Sequence, residues 1–177
     1  MSESLGLVQI GDNPDYSLDA LREPIGLIFP KLRVDKAAPL MDVTEACYPQ
    51  KSQYHSTRIL ALLDKQVGAL GFGRLLGVTS FDLFVPGMNF VFGEARLNGR
   101  VGVISTHRLK PRSPKEDSLL QERVIKEAVH EIGHMLGLRH CSDAVCVMHF
   151  SERIQDTDRK HVEFCKGCWF RLGNVAR

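Results

Sequence analysis

Residues 129–141 read Val129-His130-Glu131-Ile132-Gly133-His134-Met135-Leu136-Gly137-Leu138-Arg139-His140-Cys141. Two histidines four positions apart share one face of an α-helix and can grip one metal ion. The five-residue core of the pattern arises by chance often enough to be moderate evidence. Gly137 sharpens it, because glycine adopts the left-handed conformation that ends a helix without steric cost. The chain then turns back, and His140 three residues later can bring a third imidazole to the same metal. Three neutral imidazoles leave one tetrahedral position for water, which distinguishes a catalytic zinc from a structural one. Such a metal lowers the pKa of its water towards about 7 and polarises a scissile carbonyl. Glu131 adjoins a ligand but points elsewhere from the helix, so it is expected to take the water's proton and pass it to the leaving amine. A solvated glutamate beside satisfied helix histidines is the bland alternative, and the whole constellation weighs against it.

The helix that carries the motif is expected over 120–136. Leu120, Val124, Ile125, Ala128, Val129, Ile132, Met135 and Leu136 fill about half its circumference at roughly 100° per residue. His130 and His134 fall on the opposite side, and Glu131 near the edge of the apolar arc. Ser113, Pro114 and Glu116 have the spacing of a capping box with proline at the first helical position. Upstream, 5–10 reads as a strand closed by Gly11-Asp12-Asn13-Pro14. Ser17 can cap a helix running to Leu27, although Pro24 and Gly26 weaken it. A helix over 56–67 takes its apolar side from Ile59, Leu60, Leu62 and Leu63. Strands are expected over 75–79, 89–95 and 101–106, with Asn98-Gly99 as the hairpin turn between the last two.

Four of the five cysteines lie late in the chain, as Cys141-x4-Cys146 and then Cys165-x2-Cys168. Two close pairs joined by a connecting segment are what a tetrahedral thiolate site requires. The stretch 139–177 has a modest apolar set, and a piece that size rarely orders itself without a metal or a neighbour to pack on. The four cysteines are therefore read as a closed structural zinc site, and Cys47 as a lone buried thiol. His55, His107, His149 and His161 lack ligand spacing.

The 177 residues suit one compact domain, with 44% apolar and 25% charged residues and a net charge of +2. The first twenty residues carry Glu3, Asp12, Asp15 and Asp19 and no export signal, which favours free thiols or metal ligands over disulfides and a cytoplasmic location. No apolar run is long enough to span a membrane. Nucleic acid is not an expected partner: Arg159, Lys160, Lys166 and Arg171 form a sparse patch interrupted by Asp156 and Asp158.

Taken together, 130–148 and the pair Cys165 and Cys168 resemble the archaemetzincin family of metallopeptidases. The matching features are HExxHxxGxxH, an immediate cysteine, a second cysteine five residues on, and Met148 two later. Weaker echoes lie at 53–57 and 89–95. The resemblance implies an α+β fold with a metzincin-like twisted mixed sheet, an active-site helix, and a small zinc-stapled C-terminal subdomain. One metallopeptidase domain would then cover 1–177, with sheet and helices in 1–138 and the subdomain in 139–177. It also implies two zinc ions, a methionine turn at Met148 beneath the catalytic metal, and an edge strand within 89–95 that receives an extended peptide or unfolded protein by strand addition. The competing reading is a non-catalytic zinc module that binds peptides or proteins. Glu131 favours the enzyme, since a site kept only for metal would tolerate many residues there.

Overall fold

The computed structural model describes residues 3–12, 16–111 and 119–173. Its centre is β1 (Ser4–Ile10), where Leu5, Leu7, Val8 and Ile10 are all buried. Apolar side chains on both faces require cover on both faces, which is the condition of a parallel strand inside a layered fold. Accordingly β1 lies between β2 (Arg33–Lys36) and β5 (Arg74–Thr79), parallel to both. Next to β5 runs β8 (Val101–Ser105), also parallel, and β7 (Gly93–Ala95) closes that side antiparallel to β8. The sheet order is β2-β1-β5-β8-β7, so β7 is an edge strand. A second small sheet joins β3 (Cys47–Tyr48), β4 (Gln53–His55) and β6 (Leu83–Phe84).

Side-chain alternation along the strands sorts the core into two layers. Leu5, Leu7, Leu76, Val78 and Ile104 pack with α1 (Asp19–Ile28) and α3 (Leu119–Met135). Val8, Ile10, Leu75, Val101 and Val103 pack with Ile59, Leu60 and Leu63 of α2 (Ser56–Gln66) on the other face. The expected α+β class, a mixed sheet with a long motif-bearing helix, is observed. Among the described residues no helix is long and apolar enough to cross a membrane.

Most expected elements occur within a residue or two of their sequence limits. Pro24 is accommodated inside α1, and Ser17 Oγ accepts the Asp19 N–H at 3.3 Å. The strand expected over 89–95 is shorter. Its first half is drawn to the small sheet, where the Val91 N–H donates to Leu83 C=O and Gln53 Nε2 to Asn89 C=O, and only Gly93–Ala95 joins the large one. The turn at Asn98-Gly99 forms, with Asn98 at a φ of 51°. The Asn98 N–H also donates to His134 C=O at 2.9 Å, so the hairpin satisfies a carbonyl at the end of α3. The expected capping box at Ser113, Pro114 and Glu116 lies outside the described residues, as do Asn13 and Pro14. Cys47 is half-buried rather than buried.

The tail adds α4 (Ile154–Arg159) and α5 (Lys166–Leu172). It has no core of its own: Val147, Met148, Phe164 and Leu172 belong to the same cluster as α3, and Phe164 meets Phe29 edge-on. Polar groups add a second attachment. Lys160, fully buried, donates from Nζ to Glu127 Oε1 at 3.2 Å and to His149 C=O at 3.3 Å. Thr157 Oγ1 donates to the same Glu127 oxygen, and Arg123 makes a bidentate pair with Asp158 at 2.6 and 2.8 Å. Removing one member of a buried ion pair leaves the other charge uncompensated. Lys160→Met should therefore destabilise the protein by about 3–5 kcal/mol in urea unfolding. A loss under about 1 kcal/mol would show that the pair does not anchor the tail.

Candidate functional site

The last turns of α3 bring His130 and His134 together with ring centroids 4.6 Å apart. The helix ends at Gly137, whose φ is +94°, where any side chain would be strained. The Leu138 N–H donates to Gly133 C=O and the Gly137 N–H to His134 C=O, the paired bonds of a Schellman end. That reversal carries His140 back, to centroid distances of 5.4 Å from His130 and 4.9 Å from His134. One ring nitrogen from each of the three lies within 4.8 Å of the others.

The hydrogen bonds fix which nitrogens face inward. His130 Nδ1 lies 2.7 Å from Val147 C=O, and His134 Nδ1 lies 2.7 Å from Leu138 C=O. A carbonyl only accepts, so each Nδ1 carries the proton and each Nε2 presents a lone pair. The two Nε2 atoms nevertheless stand 3.1 Å apart. Two lone pairs at that distance repel unless a cation sits between them. Imidazole nitrogens on one tetrahedral zinc, each ~2.0–2.1 Å from it, sit roughly 3.3 Å apart. The donor set therefore fits zinc. Burial, with repulsion from Lys160 and the neighbouring imidazoles, holds His130 well below the ordinary histidine pKa, and burial also lowers His134 and His140. All three are thereby kept in the neutral form that binds metal.

Glu131 is buried against the sheet, with its Cβ beside Gly102 and its carboxylate beside Gly93. Its pKa is pushed well above the carboxylate range by burial first, then by the Glu127 and Glu94 carboxylates. Among the described residues its buried Oε2 has no hydrogen-bond partner. An orphaned buried carboxylate oxygen needs a function to explain it. Beneath the histidines Met148 is fully buried and fills the space beside Gly133, whose hydrogen leaves room for its sulfur.

These groups line a cleft of about 560 Å³, bordered by Phe92 to Ala95 on one side and by Arg139, His140, Phe150 and Ser151 on the other. Its rim is apolar, with Met88, Leu97 and Phe150 exposed. Phe92 C=O accepts from Ser105 N–H and Arg96 N–H donates to Val101 C=O. Antiparallel alternation then leaves the N–H and C=O of Gly93 and Ala95 on the open edge. Glu94 points to the opposite face, where Ser56 Oγ at 2.5 Å and Thr57 Oγ1 at 2.9 Å donate to it and fix the strand to α2.

The four late cysteines also converge. Cys141 Sγ lies 3.8 Å from Cys165 Sγ, and Cys146 Sγ 3.8 Å from Cys168 Sγ. Those separations are far beyond a disulfide bond and match thiolates ~2.3 Å from one tetrahedral zinc, which lie roughly 3.8 Å apart. Burial raises the pKa of Cys146 and of Cys168, which disfavours those two thiolates unless a cation is near. Among the described residues no third group of histidines, cysteines or carboxylates comes this close. His149, which lacks ligand spacing, bonds Cys141 C=O through Nδ1. Sequence reading gave no role to Glu127 or Lys160, and it marked Ser56, Gly93 and Glu94 only as members of the stretches 53–57 and 89–95, without their contacts around the motif. Glu127 carried a signal, lying one helical turn before Glu131.

Residues 33–174 match the family model described as peptidase family M54. The chain belongs to this family, the archaemetzincins. It is 37% identical to the archaemetzincin of Pyrococcus furiosus over 182 residues, covering 97% of this chain and 93% of the relative. The crystal structure of the Methanopyrus kandleri archaemetzincin superposes with a TM-score of 0.83 at 37% identity, covering 99% of this chain and 96% of that one. That of the Archaeoglobus fulgidus archaemetzincin, complexed with malonate, gives 0.82 at 39% identity, covering 95% and 99%. As an archaemetzincin, the chain is a zinc metallopeptidase.

The tautomers are directly measurable in this archaemetzincin. Nitrogen-15 NMR of the imidazoles should show His130 and His134 protonated at Nδ1 in the zinc-loaded protein. Protonation at Nε2 of either ring would contradict the lone-pair geometry.

Proposed function

We propose that this archaemetzincin hydrolyses peptide bonds in extended peptides or unfolded protein segments, with His130, His134 and His140 holding the catalytic zinc and Glu131 as general base. Cys141, Cys146, Cys165 and Cys168 hold a second, structural zinc. Residues 1–177 act as one metallopeptidase unit, a reading supported by the tail sharing its core with α3. The observation that carries the catalytic reading is the unpartnered Glu131 oxygen in the wall of the cleft that the three imidazoles also line.

When bound, zinc supplies Lewis acidity, polarising the scissile carbonyl and lowering the pKa of an adjacent water. The chain supplies the rest. An extended substrate adds to the open edge of β7, pairing with the Gly93 and Ala95 backbone groups, while the apolar rim receives its side chains. Glu131 accepts the water's proton at Oε2 and delivers it to the departing amide nitrogen. Burial beside Glu94 and Glu127 strengthens it as a base, so the proton-bearing form between those two transfers is within reach. Met148 and the Val147 carbonyl hold the His130 side of the cluster from below.

Glu131→Ala should retain two zinc ions per chain and the parental fold while losing about 10²–10⁴-fold in peptide hydrolysis. Metal analysis with a peptide-library digestion checks both. A chelator should strip the open three-histidine site first and the closed four-cysteine site later. Undiminished turnover by a clean Glu131→Ala preparation would refute the assigned base, and a stoichiometry of one with oxidised cysteines would remove the second zinc.

A further inference from the structure

The glutamate of the motif does not stand free in the cleft. Its carboxylate rests against the edge strand at the one point where that strand has no side chain. A Cβ built on Gly93 would fall 2.6 Å from Glu131 Oε1 and 2.9 Å from Glu131 Cγ. Carbon atoms of real side chains do not approach so closely, so the space an alanine methyl would take is the space the carboxylate fills. The placement follows from register. Gly93 pairs with Ile104 and Ala95 with Gly102, so both strand residues face α3, while Glu94 between them faces α2. The strand cannot back away, because Glu94 is held from behind by Ser56 and Thr57. Nor can Glu131 swing freely elsewhere: it is buried on α3, its Oε1 abuts β7 at Gly93, and its Oε2 is buried without a partner in a residue that lines the cleft.

We propose that Gly93 is a positioning residue for the reaction: its missing side chain is the slot that seats the Glu131 carboxylate and turns one oxygen towards the cleft. The proposal rests on Glu131 acting as the base. A methyl group at position 93 leaves the outward N–H and C=O intact, so peptide docking along the edge persists. What changes is the aim of the carboxylate, displaced on the order of 1 Å, a misplacement that lowers rates by about 10²-fold.

The same methyl would also approach Val103 C=O at 2.8 Å, so the test must separate a crowded carboxylate from a crowded sheet. Gly93→Ala, Glu131→Ala and the double variant are prepared with zinc bound in the full chain. Thermal unfolding and steady-state peptide hydrolysis are then measured. Gly93→Ala should keep its zinc content, lower kcat by at least about 30-fold and leave KM within about threefold. It should lower Tm by several degrees against the parent, but by less than half as much against Glu131→Ala, where the slot is vacant. Equal Tm losses in the two backgrounds would place the clash at Val103 and overturn the proposal, as would a Gly93→Ala enzyme with parental kcat. Full activity in Glu131→Ala would overturn the base assignment itself and the positioning role with it, and it is read in that variant alone.

Discussion

Two imidazole Nε2 atoms, each presenting a lone pair, stand 3.1 Å apart, and each ring is held in that pose by a backbone carbonyl at its other nitrogen. Such a pair is repulsive until a cation enters, and every neighbouring feature bears on keeping it in place. One carbonyl, Leu138, exists in that position because Gly137 permits the helix to reverse. The other, Val147, belongs to the tail. The His130 tautomer is therefore set by a residue seventeen positions away, on a segment that the shared core and the Lys160–Glu127 pair attach to α3. Outer hydrogen bonds of this kind orient metal-binding imidazoles and raise their basicity.

The two clusters are also laced to each other by short-range backbone contacts. Cys141 follows His140 directly, its N–H donates to Met148 C=O at 2.9 Å, and its own carbonyl accepts from His149 Nδ1. The Cys146 sulfur accepts from the Cys165 N–H at 3.3 Å. Loosening one thiolate would thus be felt at His140 through one peptide bond and at His130 through Val147. The arrangement explains why so small a tail needs both a shared core and a polar anchor. Its apolar residues, Val147, Met148, Phe164 and Leu172, contribute to a core they do not enclose by themselves.

What the sequence made legible was local. Histidines at helical spacing, a glycine stop and paired cysteines are read within a few residues of one another, and all seven side chains meet in the two expected groups. The long helix and the β8 strand followed from periodicity. Elements that escaped are short or charged: β2 has a single apolar residue, Val34, among Arg33, Asp35 and Lys36 at a sheet edge, and α4 and α5 span about two turns or fewer, too short for a period to emerge. His130 was placed on the helix side opposite the apolar arc and does line the cleft; that it is also buried follows from the tail folding over α3, a contact no helical wheel contains. Gly93 against Glu131 and Lys160 against Glu127 lie 38 and 33 residues apart and were beyond local reading for the same reason.

As proposed, the three imidazoles enclose one zinc and the four thiolates another. X-ray absorption at the zinc edge of the loaded protein tests it most directly. Two scattering shells of comparable weight are expected, nitrogen or oxygen at ~2.0–2.1 Å and sulfur at about 2.3 Å, with imidazole multiple scattering. A spectrum with a sulfur shell and no imidazole signature, or with imidazole and no sulfur, would contradict it.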